Sequence, residues 1–428
     1  MSGVALSRDR RLATLTLLLI VLITVTPRIP VLWDILDPIF FLLFDGEWKY
    51  VDIFYYSLVV LGLLDLARRL LDPRHWPWFA IASSVPVIGW ALASCLWSRF
   101  PTFSLHEWFR WYLLPVAGLV FGYACFRVQV VTGRALRVAV ILLPAYLLFG
   151  QYVLHHEFRL IGFDTVVTST WMALAFPILF WWFAQSVDAG ERYSWVPMLA
   201  LCAWQVVPFA LFPQRMYMLA IIAVTVMLVA GFGALRLTPR RSRDWFASCA
   251  LLAILLVAAY YSISLTRPIS YIAGDFGDTG GYYKVFARTE RYEIFKYWLE
   301  RGQEHFWAGV GLGWQLPAIE YNRRFLEYST QNESLYSHGH NYLINVWLQT
   351  GIVGVGALAF WGAGLVRHAG RGFADATPAV KRMFMCFIAL FAVLLLRNLS
   401  DDGMREGNPL FFWLLLGGCL GYIDHKRY

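Results

Sequence analysis

Charge is scarce in this chain: Asp, Glu, Lys and Arg make up 15% of its 428 residues, while 59% are hydrophobic and 17% aromatic. A soluble protein of this size needs far more polar surface, so that class is excluded. A mean hydropathy of +0.55 points instead to a polytopic membrane protein. Cysteine is sparse as well. The six cysteines (Cys95, Cys125, Cys202, Cys249, Cys386, Cys419) lie in or beside apolar runs, so neither a disulfide framework nor a CxxC metal pair is expected. Internal repeats, low-complexity tracts and linkers are lacking, and residues 1–428 read as one membrane domain. The first apolar run follows Arg8, Arg10 and Arg11 without a small-residue cleavage site, so it is expected to be a retained helix rather than a removed signal peptide.

What is present is a series of apolar runs. Twelve are long enough, or nearly so, to cross a bilayer: 12–26, 51–67, 77–97, 108–126, 135–153, 168–185, 195–213, 216–235, 245–264, 341–366, 380–397 and 409–423. A span takes about 20 helical residues. The expected fold class is therefore an all-α polytopic integral membrane protein of about twelve transmembrane helices. Val31 to Phe44 is apolar but short and carries Asp34, Asp37 and Pro38, which suits a re-entrant or interfacial segment. Orientation follows from the bias of Lys and Arg toward the cytoplasm. With both termini cytoplasmic, 20 Lys+Arg fall on that side and 16 on the other. Eight of those 16 sit in one long segment that the rule does not count, leaving 20 against 8 in short loops. That segment, residues 266–339, is then exterior.

The exterior loop is not a basic patch, since residues 265–340 carry eight Lys+Arg against nine Asp+Glu. This balance gives no reason to expect a nucleic-acid partner. Position matters more than sum. If residues 282–301 are helical, Lys284, Arg288 and Arg291 fall within about 60° of one another. Glu290, Glu293, Glu300 and Glu304 cluster opposite, and Phe295 and Trp298 continue the basic stripe, so that face is expected to turn inward. Arg215 arrives from elsewhere, at a tight exterior turn between the seventh and eighth runs. Alone it could be an interfacial arginine snorkelling to headgroups. Shared with it on one side of the membrane are Arg288, Arg291 and two histidines, His338 and His340, in the run Ser337-His338-Gly339-His340-Asn341 at the mouth of the tenth apolar run. Guanidinium forks bind phosphate oxygens in bidentate fashion and suit a pyrophosphate at a bilayer surface. Imidazole can take a proton from a substrate hydroxyl near neutral pH.

His340-Asn341, followed by Gly351-Ile352-Val353-Gly354, resembles the His-Asn…Gly-x-x-Gly signature of bacterial O-antigen ligases and the related O-antigen polymerases and protein O-oligosaccharyltransferases. Arg291-Tyr292-Glu293-Ile294-Phe295 and Gly309-Val310-Gly311-Leu312-Gly313 are similar to the same families' Arg-x-x-x-Trp and Gly-x-Gly-x-Gly segments. Gln214-Arg215 matches their arginine at the outer start of a helix. The resemblance covers roughly residues 205–365. Three departures stand out: Gln349 where the family often has Glu, Phe295 for Trp, and Met216 for a small residue. Arg291 with ten residues before Gly302 also fits an Arg-x10-Gly pattern of the polymerases. An exterior loop of about 75 residues suits a ligase.

The resemblance implies a GT-C-like membrane enzyme in the bacterial inner membrane with its site facing the periplasm. It would transfer a glycan from undecaprenyl pyrophosphate to a sugar hydroxyl of the lipid A core, with inversion and without a cofactor or nucleotide sugar. Arg215, Arg288, Arg291 and Lys284 would hold the pyrophosphate. His338 or His340, with Arg288, would carry the chemistry, and Asn341 would orient the pair. Three alternatives stay open. His-Gly-His in an extended stretch would chelate a metal if a third ligand such as Glu333 joined it. His155 and His156, beside Glu157 at another exterior turn, read as interfacial polar residues that could add a second ligand group, and Asp401, Asp402, Arg405 and Glu406 form a last exterior loop, read first as a solvated, mutually paired rim, that could touch an acceptor. The rival class is a lipid-linked glycan transporter. Carriers keep ionisable groups in mid-span, whereas Asp52, Asp65, Arg99, Arg215 and Arg397 stand at or near the ends of the runs.

Overall fold

The computed structural model describes residues 3–25, 48–130, 165–188, 201, 215–234, 250, 294–313, 316–321, 339–399, 404 and 408–427. Among these residues every regular element is helical. We number them α1 (Gly3–Val25), α2 (Trp48–Leu70), α3 (Trp78–Ser94), α4 (Pro101–Trp108), α5 (Leu114–Arg127), α6 (Thr165–Asp188) and α7 (Arg215–Ala234). Then follow α8 (294–302), α9 (Leu316–Tyr321), α10 (Tyr342–Gly370), α11 (Pro378–Arg397) and α12 (Asn408–Arg427).

By length and apolarity, three of the described helices are able to cross a membrane: the continuous run Pro101–Arg127, α10 and α11. The helix α3 and the stretch Leu219–Phe232 of α7 are shorter apolar helices. The predicted runs 135–153, 195–213 and 245–264 lie outside the described residues apart from positions 201 and 250, as does Val31 to Phe44. Two predicted starts move by more than a helical turn: the run expected to begin at residue 12 begins at Gly3, and the run expected to begin at residue 108 begins at Pro101. Proline there costs nothing, because an N–H at the first helical position has no partner within the helix. Polar Thr102, Ser104, His106 and Glu107 hid this first stretch from a hydropathy reading.

Two features shape the core. The first is the Pro101–Arg127 run, where α4 passes into a π-helical turn, Phe109–Leu113, and Leu114 N reaches back to Phe109 O. Pro115 follows at once; it has no N–H for the usual bond to residue 111, and the wider turn absorbs the fault. The second is the close approach of α5 and α12. A Cβ at Gly122 would collide with the Leu414 carbonyl, one at Gly417 with the Leu119 carbonyl, and one at Gly421 with the Tyr123 carbonyl. Gly118 and Gly122 on one helix and Gly417 and Gly421 on the other are small-xxx-small pairs set backbone to backbone, the packing that membrane helices use where lipid offers no hydrophobic drive.

Around this pair α6 is buried on every side over residues 168–180, as a central helix must be. Its Trp171 stacks on Phe411 of α12 with centroids 4.8 Å apart. The outward faces are the reverse of a soluble protein's: Leu12, Leu15 and Leu19 of α1 and Phe54, Leu58 and Leu61 of α2 are exposed. Such a continuous apolar surface fits lipid.

Candidate active site at the outer mouth of α10

Asn341 starts α10. Its backbone is extended (φ −151°, ψ 127°), and its Oδ1 accepts from Leu343 N at 2.9 Å and Ile344 N at 3.1 Å, satisfying two of the donors that every helix start leaves unpaired. The other end of the same amide ties the cap to α11. Asn341 Nδ2 donates to Leu399 O at 3.0 Å, and Tyr342 N donates to Asn398 O at 3.4 Å. Immediately before the cap, His340 has φ +45°, the left-handed region that non-glycine residues seldom adopt. It is half-buried. Gly339 N donates to the buried Asn345 Oδ1 at 2.7 Å. A Cβ on Gly339 would lie 2.7 Å from Ile344 Cγ2 and 3.0 Å from Asn345 Oδ1, so packing dictates the glycine between the two histidines.

Two turns deeper, α10 breaks. Gly351 has φ +67° and ψ −176°, and the hydrogen bonds lost there are replaced from outside the helix. Leu348 O and Gln349 O accept from Val310 N and Gly311 N, both at 3.0 Å, and Thr350 O accepts from Trp90 Nε1 at 2.7 Å. On the far side Ile352 N donates to Phe306 O at 2.9 Å and Val353 N to Trp307 O at 3.5 Å. Non-helical backbone at membrane depth is tolerated only when protein satisfies it in this way. Glycine is required at 351 on both counts: any Cβ would meet the Trp307 carbonyl, and the φ is left-handed. The Gly309-Val310-Gly311-Leu312-Gly313 segment is therefore a clasp across the break. Gly313 N is held by Gln349 Oε1 at 2.9 Å. A glutamate carboxylate would accept the same bond, so glutamine or glutamate at 349 leaves this contact intact.

Of the residues read from the sequence as site candidates, the structure brings His340 and Asn341 together in this elbow. Arg215 is the first residue of α7. Its side chain, and His338, Lys284, Arg288 and Arg291 altogether, lie outside what is described, as do His155, His156, Glu157, Asp401, Asp402, Arg405 and Glu406. The end of the expected basic stripe is visible: Ile294 and Trp298 of α8 are buried against Leu348, with Phe295 and Ile344 beside them, while Glu300 and Glu304 point to solvent. That face of α8 thus rests on the first turns of α10, close to the elbow.

Two charged residues stand differently from the sequence reading. Arg397 closes α11 as expected, but it is 1% exposed and donates from Nη2 to Ser169 Oγ at 3.0 Å. Tyr217, in the first turn of α7, lies within its electrostatic reach, so the helix that Arg215 opens meets α11 just where Asn398 and Leu399 hold the elbow. Glu107 was missed. It is 3% exposed inside a membrane-spanning run, with His106 Nδ1 at 3.2 Å and Arg110 Nη1 at 3.9 Å. The argument that charges stand only at the ends of runs does not hold for it. A carboxylate within one helical length of Pro101 and next to the apolar run from Trp108 was the available signal.

Compared with known families, residues 160–360 match one described as O-antigen ligase, a stretch containing Arg215, α8, the glycine clasp, the elbow and the break at Gly351. Among curated proteins the chain has no match.

Proposed function

Residues 160–360 match the O-antigen ligase family, and on that premise we propose that this membrane protein transfers a glycan from undecaprenyl pyrophosphate to a sugar hydroxyl of the lipid A core, at the periplasmic face of the bacterial inner membrane. The observation that carries the reading is the elbow. A half-buried histidine in a left-handed conformation is fastened on three sides, by its own helix cap, by α11 and by Asn345. Backbone held in such a sparsely populated region is characteristic of functional positions.

In this mechanism Arg215, Arg288, Arg291 and Lys284 hold the pyrophosphate and offset the charge it gains on leaving. His338 or His340 takes the proton from the acceptor hydroxyl as its oxygen bonds to the anomeric carbon. The C–O bond to pyrophosphate breaks on the opposite face, so the configuration inverts. Asn341 orients the base by fixing the elbow. The guanidinium groups take the part a metal ion plays elsewhere, so the reaction needs none.

The polymerase alternative draws on the spacing of Arg291 and Gly302. Gly302 has a packing reason of its own, because a Cβ there would come 2.5 Å from Trp347 Cζ3. The deciding experiment disrupts the protein in cells and examines the lipid carrier. Loss of a ligase leaves fully polymerised glycan on the carrier, loss of a polymerase leaves single repeat units, and loss of a transporter leaves the units facing the cytoplasm.

A further inference from the structure

Glu107 is the most buried carboxylate among the described residues. Its depth is about two helical turns below Pro101, where an ionisable side chain is costly and marks function by default. The partners His106 and Arg110 come from its own helix, at 3.2 and 3.9 Å. Directly after it the helix widens into the π-helical turn, a local distortion that recurs at functional sites. That turn brings Trp111 to a cavity of about 30 Å³ whose other polar-bearing walls include Glu107, Tyr112, Tyr342, Asn345 and Gln349. Trp111 Nε1 is buried there without a hydrogen-bond partner.

An indole N–H can only donate, and a carboxylate can only accept. A polar void of this volume has room for one or two water molecules, each needing two to four polar partners. The walls supply them. Asn345 connects the cavity to the elbow, since its Oδ1 is the acceptor for Gly339 N at 2.7 Å, between His338 and His340.

We propose that Glu107 and Trp111 hold a water molecule in this cavity, and that the hydrated carboxylate is a positioning residue for the transfer step. It steadies Asn345 and with it the glycine that separates the two histidines. Its negative charge, offset only in part by Arg110 at 3.9 Å, favours the imidazolium that forms when a histidine takes the acceptor's proton. Glu107 itself forms and breaks no bond; the proton rests on the imidazole throughout the step. The inference rests on the transfer reading above.

The test uses purified full-length protein in detergent with lipid-linked glycan and acceptor, measuring kcat and KM separately. Glu107→Gln keeps the shape and removes the charge; kcat should fall about tenfold or more, the worth of one interaction with a charged group, with donor KM held within about twofold. Glu107→Asp should recover part of kcat. If both variants lose kcat and thermal stability alike, the role is merely structural and the proposal is overturned, as it is by a wild-type kcat in Glu107→Gln. Should Glu107→Gln not accumulate as folded protein, Trp111→Phe carries the readout, because it keeps a ring and deletes the N–H. A several-fold lower kcat at unchanged KM supports the site, and a wild-type kcat overturns it. A wild type without transfer would overturn the transfer reading and this inference together, whereas an active wild type beside unaffected variants overturns this inference alone.

Discussion

In the proposed transfer the base is aimed by its backbone, and Asn341 is the residue that holds this backbone. One side chain caps α10 through two N–H groups and ties the elbow to Leu399, just past the end of α11. Asn341→Ala should lower stability by about 1 kcal/mol for the lost cap, and should lower transfer further because the tie to α11 goes with it. Asn341→Asp keeps the accepting oxygen and loses the donor to Leu399 O, so its thermal midpoint should fall between wild type and Asn341→Ala. One of His338→Ala and His340→Ala should cut transfer by about 10²–10⁴-fold, the usual worth of a general base, with donor binding intact. Arg215→Ala should cost about ten- to a hundredfold, and Arg215→Lys should recover little because a point charge lacks the guanidinium fork. Full activity in a normally inserted Arg215→Ala protein would remove that residue from the site. Activity that vanishes in chelator and returns with a divalent cation would make ligands of the histidines.

Among the elements, glycine sets how near two helices or two strands of backbone come. Gly122→Val or Gly417→Val would force α5 and α12 apart at the Leu414 and Leu119 carbonyls, and Gly351→Ala would drive a methyl group into the Trp307 carbonyl. Each should cost roughly 1–3 kcal/mol, read as a lower unfolding temperature in detergent. A Gly122→Val protein as stable as wild type would show that the close approach is dispensable. The helices themselves were legible in the sequence because a span announces itself by local apolar length, and the elbow was legible because His340 and Asn341 are neighbours in the chain. The clasp was not. Gly309 to Gly313 read as a family motif, and only the fold reveals that these residues serve Leu348, Gln349 and the break at Gly351, some forty positions on. Glu107 escaped for a related reason: polar neighbours after Pro101 masked the start of its helix, and its meaning depends on Asn345, which tertiary packing alone brings near.

For the molecule as a whole, every functional argument depends on which side of the membrane the elbow occupies. A continuous path of contacts fixes the elbow, the first turns of α10, the inward face of α8 and the glycine clasp at one end, while the turn after α10 (371–376) is at the other. At 1.5 Å per residue, 29 residues of α10 reach about 40 Å, enough to carry the chain from one headgroup region to the other. The charge bias of 20 against 8 Lys+Arg in short loops is the argument for an exterior elbow. Cysteine labelling in a chain with Cys202 and Cys249 replaced by Ser resolves the orientation with little background, since the other four, Cys95, Cys125, Cys386 and Cys419, are buried. Gln303 beyond α8 and Asp375 in the turn after α10 are exposed and tolerate a cysteine without disturbing the core. In intact cells stripped of their outer membrane, a membrane-impermeant maleimide should label Gln303→Cys and spare Asp375→Cys until the inner membrane is opened. The opposite pattern would place both histidines in the cytoplasm, away from any periplasmic acceptor, and the proposed transfer to lipid A core would fall with the orientation.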